Sequence, residues 1–242
     1  MKQPTLRDSK NLVSELYPLG QMPKDLITKI ASGIVYRLHT GRKDISGDDW
    51  GDILADAVGG EHYARPVGIT DLATETTAWS AKTVKANNPF ASLNVRLISG
   101  RNSPDFSYGI DDPHDDVQRT GDAVLAIWNG RVDIAQAHHP RIRVNVLIRN
   151  TTLTEFVMYE EYLEHFRISD YEWKENERGN LEGFHRRTGE KSFTWQPHGS
   201  QFTIHSVVPN DAIKFRLKHP PLLTQEIALD NIGFNDSWVE IL

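Results

Sequence analysis

The order of helix-like and strand-like segments constrains the fold of this chain most. Apolar residues recur at helical spacing over 12–38, with Pro23 placed as an early helical residue, and again over 48–58. A longer helical pattern spans 115–138. The extended runs are 68–72, 78–85 and 93–99 before this long helix, and 143–149, 154–166, 192–195, 201–208 and 212–217 after it.

This order predicts a mixed α/β (α+β) fold. We expect the first three runs to be adjacent strands of one central mixed sheet, with a helix on each side and a β-rich elaboration at the C-terminal end. The chain has 242 residues, of which 38% are hydrophobic, so it can bury one core without splitting. We therefore expect a single domain over 1–242, with N-terminal helices (1–45), a central part (46–166) and a β-rich region (167–242).

Composition and charge exclude several kinds of site. The chain has no cysteine, so disulfides and thiolate zinc sites are excluded and any metal must be bound by oxygen or imidazole. It has no run of about eighteen apolar residues and no apolar N-terminal leader, and we expect a soluble, cytoplasmic protein. The net charge of -6 argues against a protein that coats nucleic acid, but a local basic cleft remains compatible with it.

Common catalytic motifs are also missing from the sequence. There is no phosphate-binding glycine loop, no dinucleotide fingerprint and no Gly-x-Ser-x-Gly. The histidines lack the His-Glu-x-x-His spacing of a zinc site, and we interpret them as surface or core residues.

The most informative stretch is 66–85. Strand alternation predicts that Ser80 and Lys82 share one face of their strand, so Asp71 and Lys82 can meet across a hairpin. A carboxylate there can hold Mg²⁺, which prefers oxygen ligands and bridges substrate phosphates. The lysine can stabilise charge that develops on a phosphoryl group. Solvated surface charges of these two types are an equally simple interpretation of the bare motif.

With Asp71 and Lys82 in these positions, the stretch resembles the active site of the PD-(D/E)xK nuclease superfamily, to which most Type II restriction endonucleases belong. That superfamily has an acid at the end of one strand and an acid-x-lysine on the next. Asp71 matches the first acid and Lys82 the lysine, whereas Ser80 stands where the second acid is expected. The resemblance implies a restriction-endonuclease-like fold, Mg²⁺ as cofactor, and Asp71 and the backbone carbonyl of Ala81 as metal ligands.

Some members of the superfamily carry a serine at that place and take the missing carboxylate from a nearby helix. No glutamate occurs between Lys82 and Glu155, so a substitute from just downstream would have to be an aspartate, and the upstream candidates are better. They are Asp52, Asp56, Glu61 and Glu75, of which we favour Glu61 and Asp52.

Two polar segments are candidates for contacts with DNA. The first extends from Lys85 to the turn after the third strand, and such side chains suit phosphates. The second lies in the tail, where arginine and amide side chains suit base edges. An ordinary turn and a polar hairpin with half-buried tryptophans are the alternatives. The candidates are Lys85, Arg96, Arg101, Asn102 and Ser103 in the first segment, and Arg186, Arg187, Gln196, His198 and Gln201 in the second.

Three functions are compatible with these patterns. The first is a Type II restriction endonuclease, which cleaves double-stranded DNA at a short palindrome as a homodimer and is accompanied by a cognate DNA methyltransferase. The second is a related nuclease of repair or recombination, acting on damaged, branched or single-stranded DNA. The third is a non-catalytic DNA-binding protein in which Ser80 marks a decayed site.

Overall fold

The structure is a computed structural model, and it describes residues 15–242. The predicted helix over 12–38 is shorter in the structure and begins after Pro23, which occupies the N-cap position; residues 12–14 lie outside the described part. The helices are α1 (Lys24–His39), α2 (Gly47–Val58), α3 (Pro104–Tyr108), α4 (Val117–His138) and α5 (Gln225–Asn231). The strands are β1 (Glu61–Val67), β2 (Thr70–Ala73), β3 (Ala78–Lys85), β4 (Asn94–Arg101), β5 (Ile142–Arg149), β6 (Glu155–Tyr162), β7 (Tyr171–Glu175), β8 (Leu181–His185), β9 (Lys191–Gln196), β10 (Gln201–Val207) and β11 (Ile213–Arg216).

The first sheet is mixed and has the strand order β1-β2-β3-β5-β6-β11. β3 and β5 run parallel over their full length, and the chain between them contains α4. Every residue of β5 is buried, as expected for a strand covered on both faces. Its two internal polar residues, Arg143 and Asn145, donate to the carboxylate of Glu160 on β6 at 3.0 and 3.1 Å, which compensates part of their burial. Within residues 15–242, Arg143 Nε and Asn145 Oδ1 have no hydrogen-bond partner.

Helices α1 and α2 cover one face of this sheet. The stripe of Ile30, Ile34 and Leu38 on α1 packs with Trp50 and Leu54 of α2 in one apolar cluster. A capping box begins α2: the Ser46 hydroxyl accepts the Asp49 N–H and the Asp49 carboxylate accepts the Ser46 N–H. Gly59, with φ of 68°, ends the helix in the left-handed conformation that glycine adopts without strain. The helix predicted over 48–58 is confirmed.

The opposite face of the first sheet packs against α4 and a second, antiparallel sheet of order β4-β10-β9-β8-β7. The expected fold class, a mixed sheet with helices on both faces, is confirmed. The prediction that β2, β3 and β4 lie side by side is wrong, because β5 occupies the free edge of β3 and β4 pairs with β10. Buried and exposed residues alternate along β4, as in a strand with one solvent face.

Three more differences concern the strands. β11 leaves the β-rich tail and adds to the edge of the first sheet beside β6, where Phe215 stacks on Phe156 at 5.1 Å between ring centroids. β1 was not predicted, and neither were β7 and β8. Within residues 15–242, no helix combines the length and apolar content needed to cross a membrane.

Candidate functional site

Asp71 and Lys82 meet where the β2–β3 hairpin opens. The strands pair only at Leu72 with Trp79 and at Ala73 with Ala78. Beyond these pairs the Asp71 carboxylate replaces a backbone acceptor, because its Oδ2 accepts the Ala81 N–H at 2.8 Å. The same oxygen lies 3.2 Å from the Ser80 hydroxyl and 3.4 Å from the Lys82 ammonium.

The side chains of this group point to the face of the sheet covered by α4. Ser80 and Lys82 alternate with Trp79 and Ala81, which lie in the apolar cluster under α1 and α2. The prediction that Ser80 and Lys82 share one face of β3 is therefore confirmed. The side chains of Asp71 and Lys82 are 19% and 21% exposed, so solvent and a ligand can reach a pair that is mostly enclosed.

Arg131 of α4 is a site residue that sequence reasoning missed. Its guanidinium donates to the backbone carbonyl of Ser99 at 2.9 Å, to Asn102 Oδ1 at 3.2 Å and to the carbonyl of Gly68 at 3.4 Å. Burial lowers the pKa of Arg131, and the nearby charge of Asp71 opposes that shift. One signal was available: Arg131 follows Val124 and Trp128 at the spacing of the buried stripe of α4.

None of the predicted second acids hydrogen-bonds to the Asp71 group. Asp52 is engaged elsewhere, accepting from Arg37 at 3.0 Å and lying 2.7 Å from His62 Nδ1. Asp56 and Glu75 are exposed. In the part of the chain that the structure describes, no three His, Asp or Glu side chains come together as a metal-binding group.

Among the candidate acids, Glu61 is the one that the strand pairing places on the same face of the sheet as Asp71. It stands opposite Ala73 on β2, and Asp71 is two residues from Ala73. Residues opposite each other, and residues two apart on one strand, leave the sheet on the same face. The β1–β2 register shifts beyond His62, so the strand pairing places Glu61 on the same face as Asp71 without fixing their separation.

Four of the predicted DNA contacts gather on one surface, the outward face of the second sheet. Gln201 of β10 pairs with Arg101 of β4 on one side and with Gln196 of β9 on the other. Arg96 of β4 pairs with His205. Arg96 alternates with the buried Val95 and Leu97, so its exposed side chain points away from the core.

The other predicted contacts are scattered. Asn102 is fully buried, donates to the Val124 carbonyl at 3.0 Å and accepts from Arg131, so it positions Arg131 and is not available to DNA. Lys85 is paired with Asp44 at 2.9 Å. Ser103 is half-buried just before α3. The remaining three, Arg186, Arg187 and His198, are exposed between strands of the second sheet.

Comparisons of this chain with models of protein families, with curated proteins and with solved structures found no match.

Proposed function

We propose that this protein is a metal-dependent DNA endonuclease of the restriction type, with its active site at Asp71 and Lys82. The observation that carries the proposal is the contact of these two side chains at the opening of the β2–β3 hairpin, 3.4 Å apart and partly exposed. A carboxylate and an ammonium on neighbouring strands of a mixed sheet, with helices on both faces, are also what the PD-(D/E)xK resemblance implies.

Two oxygen ligands for Mg²⁺ are available at the site, one carboxylate and one backbone carbonyl. Asp71 supplies a carboxylate, of which only Oδ2 takes part in the hydrogen bonds described above. The N–H and C=O of one residue in a strand face the same neighbour, so the Ala81 carbonyl lies on the side of its N–H, toward Asp71. Mg²⁺ often uses one or two carboxylates and completes its shell with water and substrate phosphate. Asp71 and the Ala81 carbonyl would hold the ion, which would supply polarisation of a phosphoryl oxygen.

Each residue near the site then has a role. Lys82 binds a non-bridging oxygen of the scissile phosphate and stabilises the negative charge that develops there. The Ser80 hydroxyl holds Asp71 in place. Arg131 fixes the segment around Ser99 and Asn102 beside the site and contributes positive potential. Glu61 is our candidate for the second acid, with Asp52 as the alternative.

A non-catalytic DNA-binding protein is the second candidate, and one observation favours it. The described residues contain no cluster of three potential metal ligands, and the Asp71 charge is already balanced by Lys82 and Arg131. In that case the Asp71–Lys82 ion pair would only hold the two strands of the hairpin together. A nuclease of repair or recombination would use the same residues and differ only in the DNA that it cuts.

The test is cleavage of plasmid and phage DNA in the presence of Mg²⁺, with sequencing of the ends. We expect the wild type to cut at a short specific sequence. Asp71→Asn and Lys82→Met should each reduce the cleavage rate at least 100-fold, because each removes a group that stabilises the transition state, and DNA binding should be largely kept. Glu61→Gln and Asp52→Asn, measured in the same assay, identify the second acid.

Asp25→Asn and Lys29→Met are matched controls, since both residues are exposed on α1, and both variants should cleave like the wild type. Full activity in either Asp71→Asn or Lys82→Met would refute the site. Preferential cutting of branched or single-stranded substrates would select the repair nuclease. Sedimentation velocity tests the expected homodimer, and a cognate methyltransferase should protect the cleavage site.

A further inference from the structure

The outward face of the second sheet contains a polar cleft of about 430 Å³, which we call the outer cleft. Its residues come from four strands and from the turn between β7 and β8. They belong to the side of the sheet that alternates with the buried Trp173, Leu181, Phe193 and Val95. The lining consists of Arg96, Asn176, Glu177, Arg178, Asn180, Glu182, Lys191, Thr194, Gln196 and His205.

Two guanidinium groups of the outer cleft have no acidic partner. Glu182 is neutralised inside the cleft, because it accepts from Lys191 at 3.2 Å and from Asn176 at 3.0 Å. Arg96 and Arg178 are exposed, and within residues 15–242 neither guanidinium forms an ion pair with a carboxylate. An exposed arginine without a carboxylate partner presents a planar set of donors that matches a phosphate group.

His205 lies among the charged side chains of the outer cleft. Its Nε2 lies 2.9 Å from the Thr194 hydroxyl, and it faces Arg96 of β4, Lys191 of β9 and Glu182 of β8. Burial lowers the pKa of His205, the charges of Lys191 and Arg96 lower it further, and Glu182 opposes them. The lining contains three cations, Arg96, Arg178 and Lys191, against two carboxylates, Glu177 and Glu182. This excess of one positive charge favours an anionic ligand.

The remaining side chains indicate which phosphate-containing ligand fits. The row of Arg101, Gln201 and Gln196 continues the polar surface along one end of the sheet. Amide and guanidinium groups suit the base edges and phosphates of a duplex. The lining of the outer cleft has no Phe, Tyr or Trp side chain, whereas proteins that hold single strands stack bases on aromatic rings.

We propose that the outer cleft is a duplex-DNA contact surface, in which Arg96 and Arg178 bind backbone phosphates while Gln196 and Gln201 face base edges. The choice of DNA as the polymer rests on the proposed nuclease function. Strand β4 links this surface to the candidate active site: its outward side chain Arg96 lines the outer cleft, and the Ser99 carbonyl near its end holds Arg131 beside Asp71.

The experiment measures binding separately from cleavage. A short fluorescent DNA duplex is titrated with the protein in Ca²⁺, and the dissociation constant is followed by anisotropy at several salt concentrations. We expect the double variant Arg96→Gln/Arg178→Gln to bind at least tenfold more weakly. For this variant, the slope of the logarithm of the association constant against log salt should be smaller in magnitude by about 2, because two phosphate contacts are lost. Arg119→Gln, which changes an exposed arginine of α4, is the matched control and should bind like the wild type.

Several outcomes would overturn the proposal. These are an unchanged affinity and slope in the double variant, wild-type binding only to duplex RNA or single strands, and binding only of inorganic phosphate. Thermal unfolding measurements test whether both variants are folded. A wild type that binds duplex DNA through the outer cleft but never cleaves it would contradict the nuclease function and leave the binding surface standing. If the wild type cleaves DNA and the double variant binds duplex DNA like the wild type, the nuclease function stands and the binding surface is refuted.

Discussion

At the scale of single residues, the hydrogen bonds of Arg131 explain how the Asp71 site is held. Three acceptors from two segments converge on its guanidinium: the Gly68 carbonyl before β2, and the Ser99 carbonyl and Asn102 side chain at the end of β4. Gly100 has no side chain that would intrude, since an added Cβ would lie 2.5 Å from an Arg131 nitrogen. Arginine suits this place because its donors form a rigid planar fork.

We predict that Arg131→Met lowers the free energy of unfolding by about 2 kcal/mol, because hydrogen bonds from a charged donor are lost and buried acceptors are left without a partner. Arg131→Lys should recover only part of this, since an ammonium cannot reach three divergent acceptors at once. Urea denaturation measures both. Arg119→Met, on the exposed side of the same helix, should stay within about 0.5 kcal/mol of the wild type. An equal loss in both methionine variants would show that Arg131 has no special role.

At the scale of elements, α4 joins the two sheets, and its glycines show where the packing is tight. Gly121 lies under the indole of Trp173 on β7, and a Cβ added at Gly121 would stand 2.1 Å from that ring. Gly130, nine residues later in the sequence, has no atom within 4 Å of an added Cβ. The same substitution is therefore expected to have opposite effects at the two positions.

Gly121→Ala should destabilise the protein by about 1–3 kcal/mol, because the indole or the helix must move. Gly130→Ala should stabilise it by about 0.5–1 kcal/mol, because alanine has the better helix propensity. Chemical denaturation of the two variants forms an internally matched pair. Equal effects would contradict the close contact between α4 and β7.

The same elements show how far the sequence predicts this structure. The helical stripe of α2 could be predicted because its periodicity is set by a core on one side, and the extent of β3 because its extended run is bounded by turns. The placement of β4 could not, since strand periodicity gives the buried face and leaves the pairing partner open. Arg131 was missed because it lies far in sequence from Asp71, and only the packing of α4 brings them together.

At the scale of the whole molecule, charge is unevenly distributed. The chain carries a net charge of -6, yet Arg96 and Arg178 of the outer cleft form no ion pair with any carboxylate of the described residues, and Arg101 lies on the same face. An acidic protein with a local basic surface repels most DNA at long range and binds through a small number of contacts. The number of phosphates that it neutralises should therefore be low.

We expect about three phosphate contacts, which gives a slope of the logarithm of the association constant against log salt of about -2.7 and a loss of affinity of roughly 40-fold between 50 and 200 mM salt. Anisotropy titrations of a random-sequence duplex across that range measure the slope directly. A slope of about -6 or steeper would require a basic surface much larger than the outer cleft. A slope near zero would mean that phosphates are not the groups recognised. Because counterion release depends on the local contacts, the slope separates a small binding surface from general attraction even in a protein whose net charge is negative.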